Sequence, residues 1–396
     1  MKLVSAIARR SDRPGRPGLA LVTGLAVAAA FVVLAGGGSR AGALAGSRPP
    51  EPLPRLAGPA LTAPTHLRIV VGESTPPFIL DVDRGTMRPV SGLGLGSGRS
   101  LWSPHANLLT AVPGGVLAAV WHNACQHCAA YSVLYLIAPD GRVRRLATVG
   151  AAAGPVPVAA RGAAAIWMVD RPRGGPCTLA LVPNREPGVH VPCGGVEAQT
   201  QAGVWIVTAN RVLIVNPLTG ITVASIALPP ANPASVSTTV IYPLDGSLAL
   251  ESVGPHYGGQ DGGPFDRLRV IDLKGGQRRE VAWPSYFGGI IHVTPEPNGP
   301  LVAVDFGSPA YPGPAQAEDI WMLDTDTGTF THLPGYPAQV DIKASDIAWT
   351  SDNRLVIIAH GGGRAVLGIW KPGQTTIPLR TLPARDGYEP FVLLAP

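Results

Sequence analysis

The sequence predicts an all-β protein, a seven-bladed β-propeller, and three observations carry that prediction. A strand–turn–strand unit recurs about every 40–50 residues, at 133–146 (VLYLIAPDGRVRRL), 211–228 (RVLIVNPLTGITVASIAL), 268–283 (LRVIDLKGGQRREVAW), 319–333 (DIWMLDTDTGTFTHL) and 368–382 (GIWKPGQTTIPLRTL). The 49 Gly and 42 Pro, with only 14% charged residues, suit many turns and disfavour long helices. Finally, the strand-like end FVLLA at 391–395 has no hairpin of its own, while the first hairpin unit lacks an innermost strand.

In chain order, residues 1–18 form a basic segment in which Lys2, Arg9, Arg10, Arg13 and Arg16 face a single acid, Asp12. Residues 19–38 are apolar and, counted with Gly36, Gly37 and Gly38, reach about the 20 residues that span a bilayer. They read as one N-terminal transmembrane or signal helix, with the basic flank cytoplasmic and everything after it extracytoplasmic. If retained, the segment makes a single-pass membrane protein; cleavage at 41–43 (AGA) or 43–45 (ALA) would release a secreted one. Gly37 stands where a lipoprotein would need its lipidated cysteine, so that fate is excluded. Residues 39–65 hold Pro49, Pro50, Pro52, Pro54, Pro59 and Pro64 and read as a linker, either a semi-rigid spacer of about 3 Å per residue or a disordered one.

The propeller is expected over 66–396, each blade having four antiparallel strands, a to d from the channel outward. Segments 67–72, 78–82 and 87–90 supply three strands of the first blade. The following six blades occupy 101–149, 156–193, 196–228, 239–283, 290–333 and 346–382. Pairing 391–395 with the first blade as its strand a closes the ring and removes the exposed edges of an open array.

Residues 346–358 (DIAWTSDNRLVII) and 101–109 (LWSPHANLL) resemble the W-S-P-D-G-x-x-L opening of TolB-type, WD-repeat-like blades. Residues 214–226 (IVNPLTGITVASI) are similar to the hairpin of YVTN and quinoprotein-type propellers. Asn353 stands where the first pattern has Gly, and His105 where it has Asp. The resemblance lies in the repeat and implies a bacterial exported seven-bladed propeller; a fold this versatile implies no particular activity.

The formal charge of +5 resides at the N-terminus. Six basic residues and one acid precede Ser47, leaving 25 of the 31 basic and 25 of the 26 acidic residues in a neutral remainder. Nucleic acid is therefore not an expected partner, since no basic stripe interleaved with aromatics is present.

His122, Cys125, His127 and Cys128 are the densest cluster of ligand-type side chains. Zinc coordination and C-x-x-C redox chemistry are conceivable there, but in an exported protein a local Cys125–Cys128 disulfide is the plainer reading. Haem attachment is excluded because His127 lies between the cysteines and Ala129 follows them. In the third blade a turn at Arg185 and Glu186 would set residues whose numbers sum to 370 opposite each other, which pairs Cys177 with Cys193. Asp324, Asp326 and Gly328 resemble the start of a calcium loop without its closing Glu, and read as a hairpin turn. No G-x-S-x-G elbow, H-E-x-x-H or phosphate loop occurs, so no catalytic residue, metal or cofactor is expected.

Loop length carries the remaining information. The fourth blade turns tightly at Asn210 between strands b and c, whereas the second, fifth and sixth insert 122–130 (HNACQHCAA), 254–266 (GPHYGGQDGGPFD) and 307–319 (GSPAYPGPAQAED). All b–c loops of a propeller emerge on one face, where a rigid scaffold presents them for binding. His122, His127, His256, Tyr257, Asp261, Asp266, Tyr311, Glu318 and Asp319 are thus the candidate binding residues, the tyrosines as anchors and the acids as a negative surface. Three functions fit: a monomeric, membrane-anchored, non-catalytic module for a protein or cell-envelope ligand; an exported lyase, glycosidase or quinoprotein-like enzyme with its site at the channel mouth; or an envelope-assembly scaffold.

Overall fold

In a computed structural model of the chain, residues 58–72, 77–95, 105–122, 131–150, 157–171, 175–183, 188–228, 237–255, 267–285, 289–307, 316–336, 339–342, 344–361, 364–383 and 391–394 are described. Segments 1–18 and 19–38 lie outside these, and among the described residues no helix is long and apolar enough to cross a membrane. The first blade holds β1 (Arg68–Val71), β2 (Phe78–Asp81) and β3 (Thr86–Pro89). The second holds β4 (His105–Val112), β5 (Gly115–His122), β6 (Tyr131–Ile137) and β7 (Val143–Gly150); the third β8 (Val158–Ala159), β9 (Ile166–Asp170), β10 (Thr178–Val182) and β11 (Val189–His190). The fourth holds β12 (Gly195–Thr200), β13 (Gly203–Val207), β14 (Arg211–Val215) and β15 (Thr222–Ala227); the fifth β16 (Ser237–Pro243), β17 (Leu248–Pro255), β18 (Arg267–Asp272) and β19 (Gln277–Val281). The sixth has β20 (Gly289–Pro295), β21 (Leu301–Gly307), β22 (Gln316–Asp324), β23 (Thr329–His332) and β24 (Gln339–Ile342). The seventh has β25 (Ala344–Trp349), β26 (Leu355–Gly361), β27 (Arg364–Trp370) and β28 (Leu379–Leu382), and the chain closes on β29 (Phe391–Leu393).

Each blade is an antiparallel meander, and β29 pairs with β1 to give the first blade the order β29-β1-β2-β3. Burial explains why the b strands read as unbroken apolar runs rather than alternating ones. Along β21, Val302, Val304 and Phe306 enter the core shared with the fifth blade, while Ala303 enters the core shared with the seventh, so both faces are dry. Among the described residues seven such cores occur, each between consecutive blades. An open row of seven blades would have six. The seventh core joins Val356, Ile358 and Leu367 of the last blade to Ile69, Phe78 and Phe391 of the first, so the ring is closed as the orphan strand predicts.

Polar contacts stitch the same seam. Burial pushes the Asp83 carboxyl up, but the Thr65 amide and hydroxyl, the His66 amide and Arg380 outweigh it and hold the group below the usual range. The Arg380 guanidinium also donates to the carbonyls of Val82, Leu61 and Ala63. Ala60 bridges Leu379 of β28 in parallel, so the end of the Pro-rich stretch runs along the outer edge of the seventh blade. At the inner edge, Asp346 Oδ2 accepts the Phe391 amide at 2.9 Å and ties β29 to β25.

Turn chemistry follows the sequence closely. Asn353 has φ of 56°, so the asparagine that replaces the expected glycine takes up the left-handed conformation it tolerates better than most side chains. Asp324 Oδ1 accepts the amides of Asp326 and Thr327, and Gly328 has φ of 71°, which makes this stretch a hairpin turn.

Three expectations are corrected. Cys177 and Cys193 are bonded with Cα atoms 5.2 Å apart, yet they are not a directly opposed pair. Thr178 faces His190 and Leu179 faces Val189, a register two residues shorter than expected, and Cys193 reaches back from beyond β11. Second, β22 begins at Gln316, so Glu318 and Asp319 are strand residues and not the end of a loop. Third, the sixth blade carries the additional strand β24, which pairs with the start of β22 at Gln316 and Glu318.

Candidate functional site

The b–c connections of the blades leave one end of the ring, together with the connections from strand d to the next strand a. Of the residues expected there, His122, Glu318 and Asp319 are described; His127, His256, Tyr257, Asp261, Asp266, Tyr311, Cys125 and Cys128 lie outside the described residues. Glu318 is 0% and Asp319 5% exposed, so neither contributes to an acidic surface. The strand's alternation sends them to opposite sides: Asp319 faces the fifth blade with Trp321, whereas Glu318 lies on the side facing the seventh.

Asp319 is the hub of a clasp between two blades. Its Oδ2 accepts the Ser285 hydroxyl at 2.9 Å and the Trp321 indole N–H at 2.6 Å, and its Oδ1 meets His332 Nε2 at 2.7 Å. Ser285 follows the last strand of the fifth blade, while the other three residues belong to the sixth. Trp321 and His332 meet edge to face with centroids 4.9 Å apart. Below them Trp283, Phe306 and Phe330 pack edge to face across the same core. Serine, histidine and aspartate are all present, but the connectivity is not that of a nucleophile. In an acyl-transfer triad histidine takes the serine proton and the acid orients the histidine. Here the single hydroxyl hydrogen of Ser285 is turned to the carboxylate. The group positions blades.

His122 ends β5 opposite Tyr131, the first residue of β6, and their rings stack with centroids 4.8 Å apart and planes 9° from parallel. Burial pulls the His122 pKa down, and its buried Nε2 has no hydrogen-bond partner among the described residues, so the ring is a neutral stacking surface at the end of β5. Neighbouring inner strands carry a second pair, His292 and Asp346, whose Nδ1 and Oδ1 lie 3.9 Å apart. A buried ion ladder crosses the fifth blade. Burial lowers the Arg269 pKa, but its bonds to Glu280 and the fully buried Glu251 more than compensate. Among the described residues no group of three or more His, Cys, Asp or Glu is arranged to hold a metal.

The clasp itself has no signature in the sequence. Trp321 lies two residues from Asp319 on the same face of β22, His332 ends the neighbouring β23, and Ser285 follows β19 of the fifth blade; none carries a motif, and Ser285 reaches Asp319 only when the two blades pack.

No family model matches the chain, and no curated protein matches it. Among solved structures, it is similar to prolyl oligopeptidase B from Galerina marginata, with a TM-score of 0.50 and 14% identity over 82% of this chain and 51% of that one. A putative 6-phosphogluconolactonase from Bacteroides uniformis follows at TM-score 0.48 and 14% identity, over 83% and 99% of the two chains. The chain spans about half the length of the oligopeptidase. The likeness to the oligopeptidase is one of fold alone.

Proposed function

We propose that the protein is a non-catalytic binding module, held outside the cytoplasm by residues 19–38, that takes a protein or cell-envelope ligand on its b–c face. The observation that carries this reading is how the described polar groups beneath that face are used. Asp319 joins two blades, His122 stacks on Tyr131, and Asp346 holds the closing strand. These groups form a fixed floor. From it spring the longest b–c connections, between β5 and β6, β17 and β18, and β21 and β22, where His127, His256, Tyr257, Asp261, Asp266 and Tyr311 reside. Tyrosine suits an anchoring role because it combines a large rigid surface with a hydrogen-bonding tip.

Replacing 256–266 and 308–315 by turns like the one the fourth blade makes from Thr208 to Arg211 separates binding from folding. The full chain in detergent should keep its Tm and lose whichever envelope protein or ligand the wild type retains on a column. Retention of the same partner by the shortened protein would refute the placement.

A further inference from the structure

The opposite mouth of the channel, where the a strands end and turn into the b strands, holds a cavity of about 520 Å³ bordered by blades two to six. That size is typical of small-molecule sites. Its polar lining is divided by sign around the ring. Arg161 of the third blade and Gln199 of the fourth lie on one side; Asp245 of the fifth and Glu296 of the sixth lie on the other.

What marks this mouth is that these groups are unspent, whereas those around the clasp are not. Glu296 is 5% exposed, yet among the described residues its carboxylate has no hydrogen-bond or ion-pair partner. The carboxylate rests against Gly299, where a Cβ would lie 1.9 Å from Glu296 Oε2. Asp245 and the exposed Arg161 guanidinium likewise have no ionic partner among the described residues. Gln199 has its carbonyl fully engaged, Oε1 accepting both the Arg161 amide and the Trp167 indole N–H at 2.7 Å. This fixes the amide orientation and leaves its NH₂ to donate elsewhere. Thr200, by contrast, is consumed by Gly246, Ala202 and Trp205 and serves only as wall.

We propose that this mouth binds a small zwitterion, its ammonium group taken by Glu296 and Asp245 and its carboxylate by Arg161 and the Gln199 amide. Third and sixth blades stand nearly opposite in a ring of seven, so the two charges of the ligand are read by opposing walls. A ligand of one sign would satisfy only half of the lining and leave the other half's charges unpaired. The site is at the far end of the channel from the b–c loops, and neither depends on the other.

Glycine, glycylglycine and triglycine step the distance between ammonium and carboxylate and are suitable probes, with butylamine and butyrate as single-charge controls. Ligand-observed NMR and calorimetry on the full chain in detergent, at low salt, should show at least one of the three binding at least about tenfold more tightly than either control. Glu296→Gln and Arg161→Ala should each weaken that binding about tenfold or more. Arg161 is exposed, so its variant carries the test if the Glu296 variant fails to fold. No zwitterion binding at about 10 mM, or binding indifferent to Arg161→Ala, would overturn the proposal.

Discussion

Ending the chain at Pro390 is expected to lower stability by about 5 kcal/mol and to open the ring. The six residues removed include the whole of β29, which pairs with β1 through Phe391, Val392 and Leu393. Phe391 is 4% exposed in the core between the last and first blades, and Leu394 is 6% exposed in the next. Two fully buried apolar side chains contribute about 3–6 kcal/mol together. The backbone bond from Leu394 to Arg68 and the bond from Phe391 to Asp346 go with them. Since a domain's whole stability is about 5–15 kcal/mol, the truncated protein should melt far below the full chain. Its newly exposed β1 edge should also drive self-association visible by size-exclusion chromatography. A truncated protein that melts like the full-length one and stays monomeric would mean that the closing strand is dispensable.

The Asp319→Ala variant should be the most damaging single substitution on the b–c side, costing about 3–5 kcal/mol. It strips the acceptor from Ser285, Trp321 and His332 at once, in a place 5% exposed where water replaces it poorly. Asp319→Asn keeps one carbonyl oxygen but turns an amide NH₂ toward the remaining donors, so an intermediate loss of about 1–3 kcal/mol is expected. Thermal melts should therefore rank wild type above Asn above Ala. Equal melting of all three would show that the clasp contributes nothing to joining the fifth and sixth blades.

Seven blades and their closure were legible because burial on both faces leaves a local trace. Runs such as Val302 to Phe306 are apolar at every position but Asp305, and the turns between them announce themselves through Gly328 or Asn353. What was not legible depends on contacts outside the local pattern, within a blade as well as between blades. Glu318 and Asp319 carry charge and follow a Gly- and Pro-rich stretch, so locally they read as loop; the bonds that draw Asp319 inside come from His332 on the paired strand and from Ser285 of the preceding blade. The third-blade register missed by two because pairing there spans only a few residues, and Arg185 and Glu186 do not specify the turn. β24 is four residues long and exists only because the start of β22 offers it an edge. The unspent groups at the far mouth lie one or two to a blade at strand ends, which no linear pattern reveals.

Whether the polar residues of the b–c side build a floor for binding rather than a reaction centre is tested most directly with a fluorophosphonate probe, which labels serines activated as nucleophiles. Ser285 is the only serine described beside both a histidine and an acid in one hydrogen-bonded group, through Asp319. With its hydroxyl hydrogen held by the carboxylate, it should remain unlabelled in intact-mass and peptide mass spectra of the full chain. Stoichiometric labelling of Ser285 that disappears in the His332→Ala variant would contradict the binding-module account and make this an enzyme.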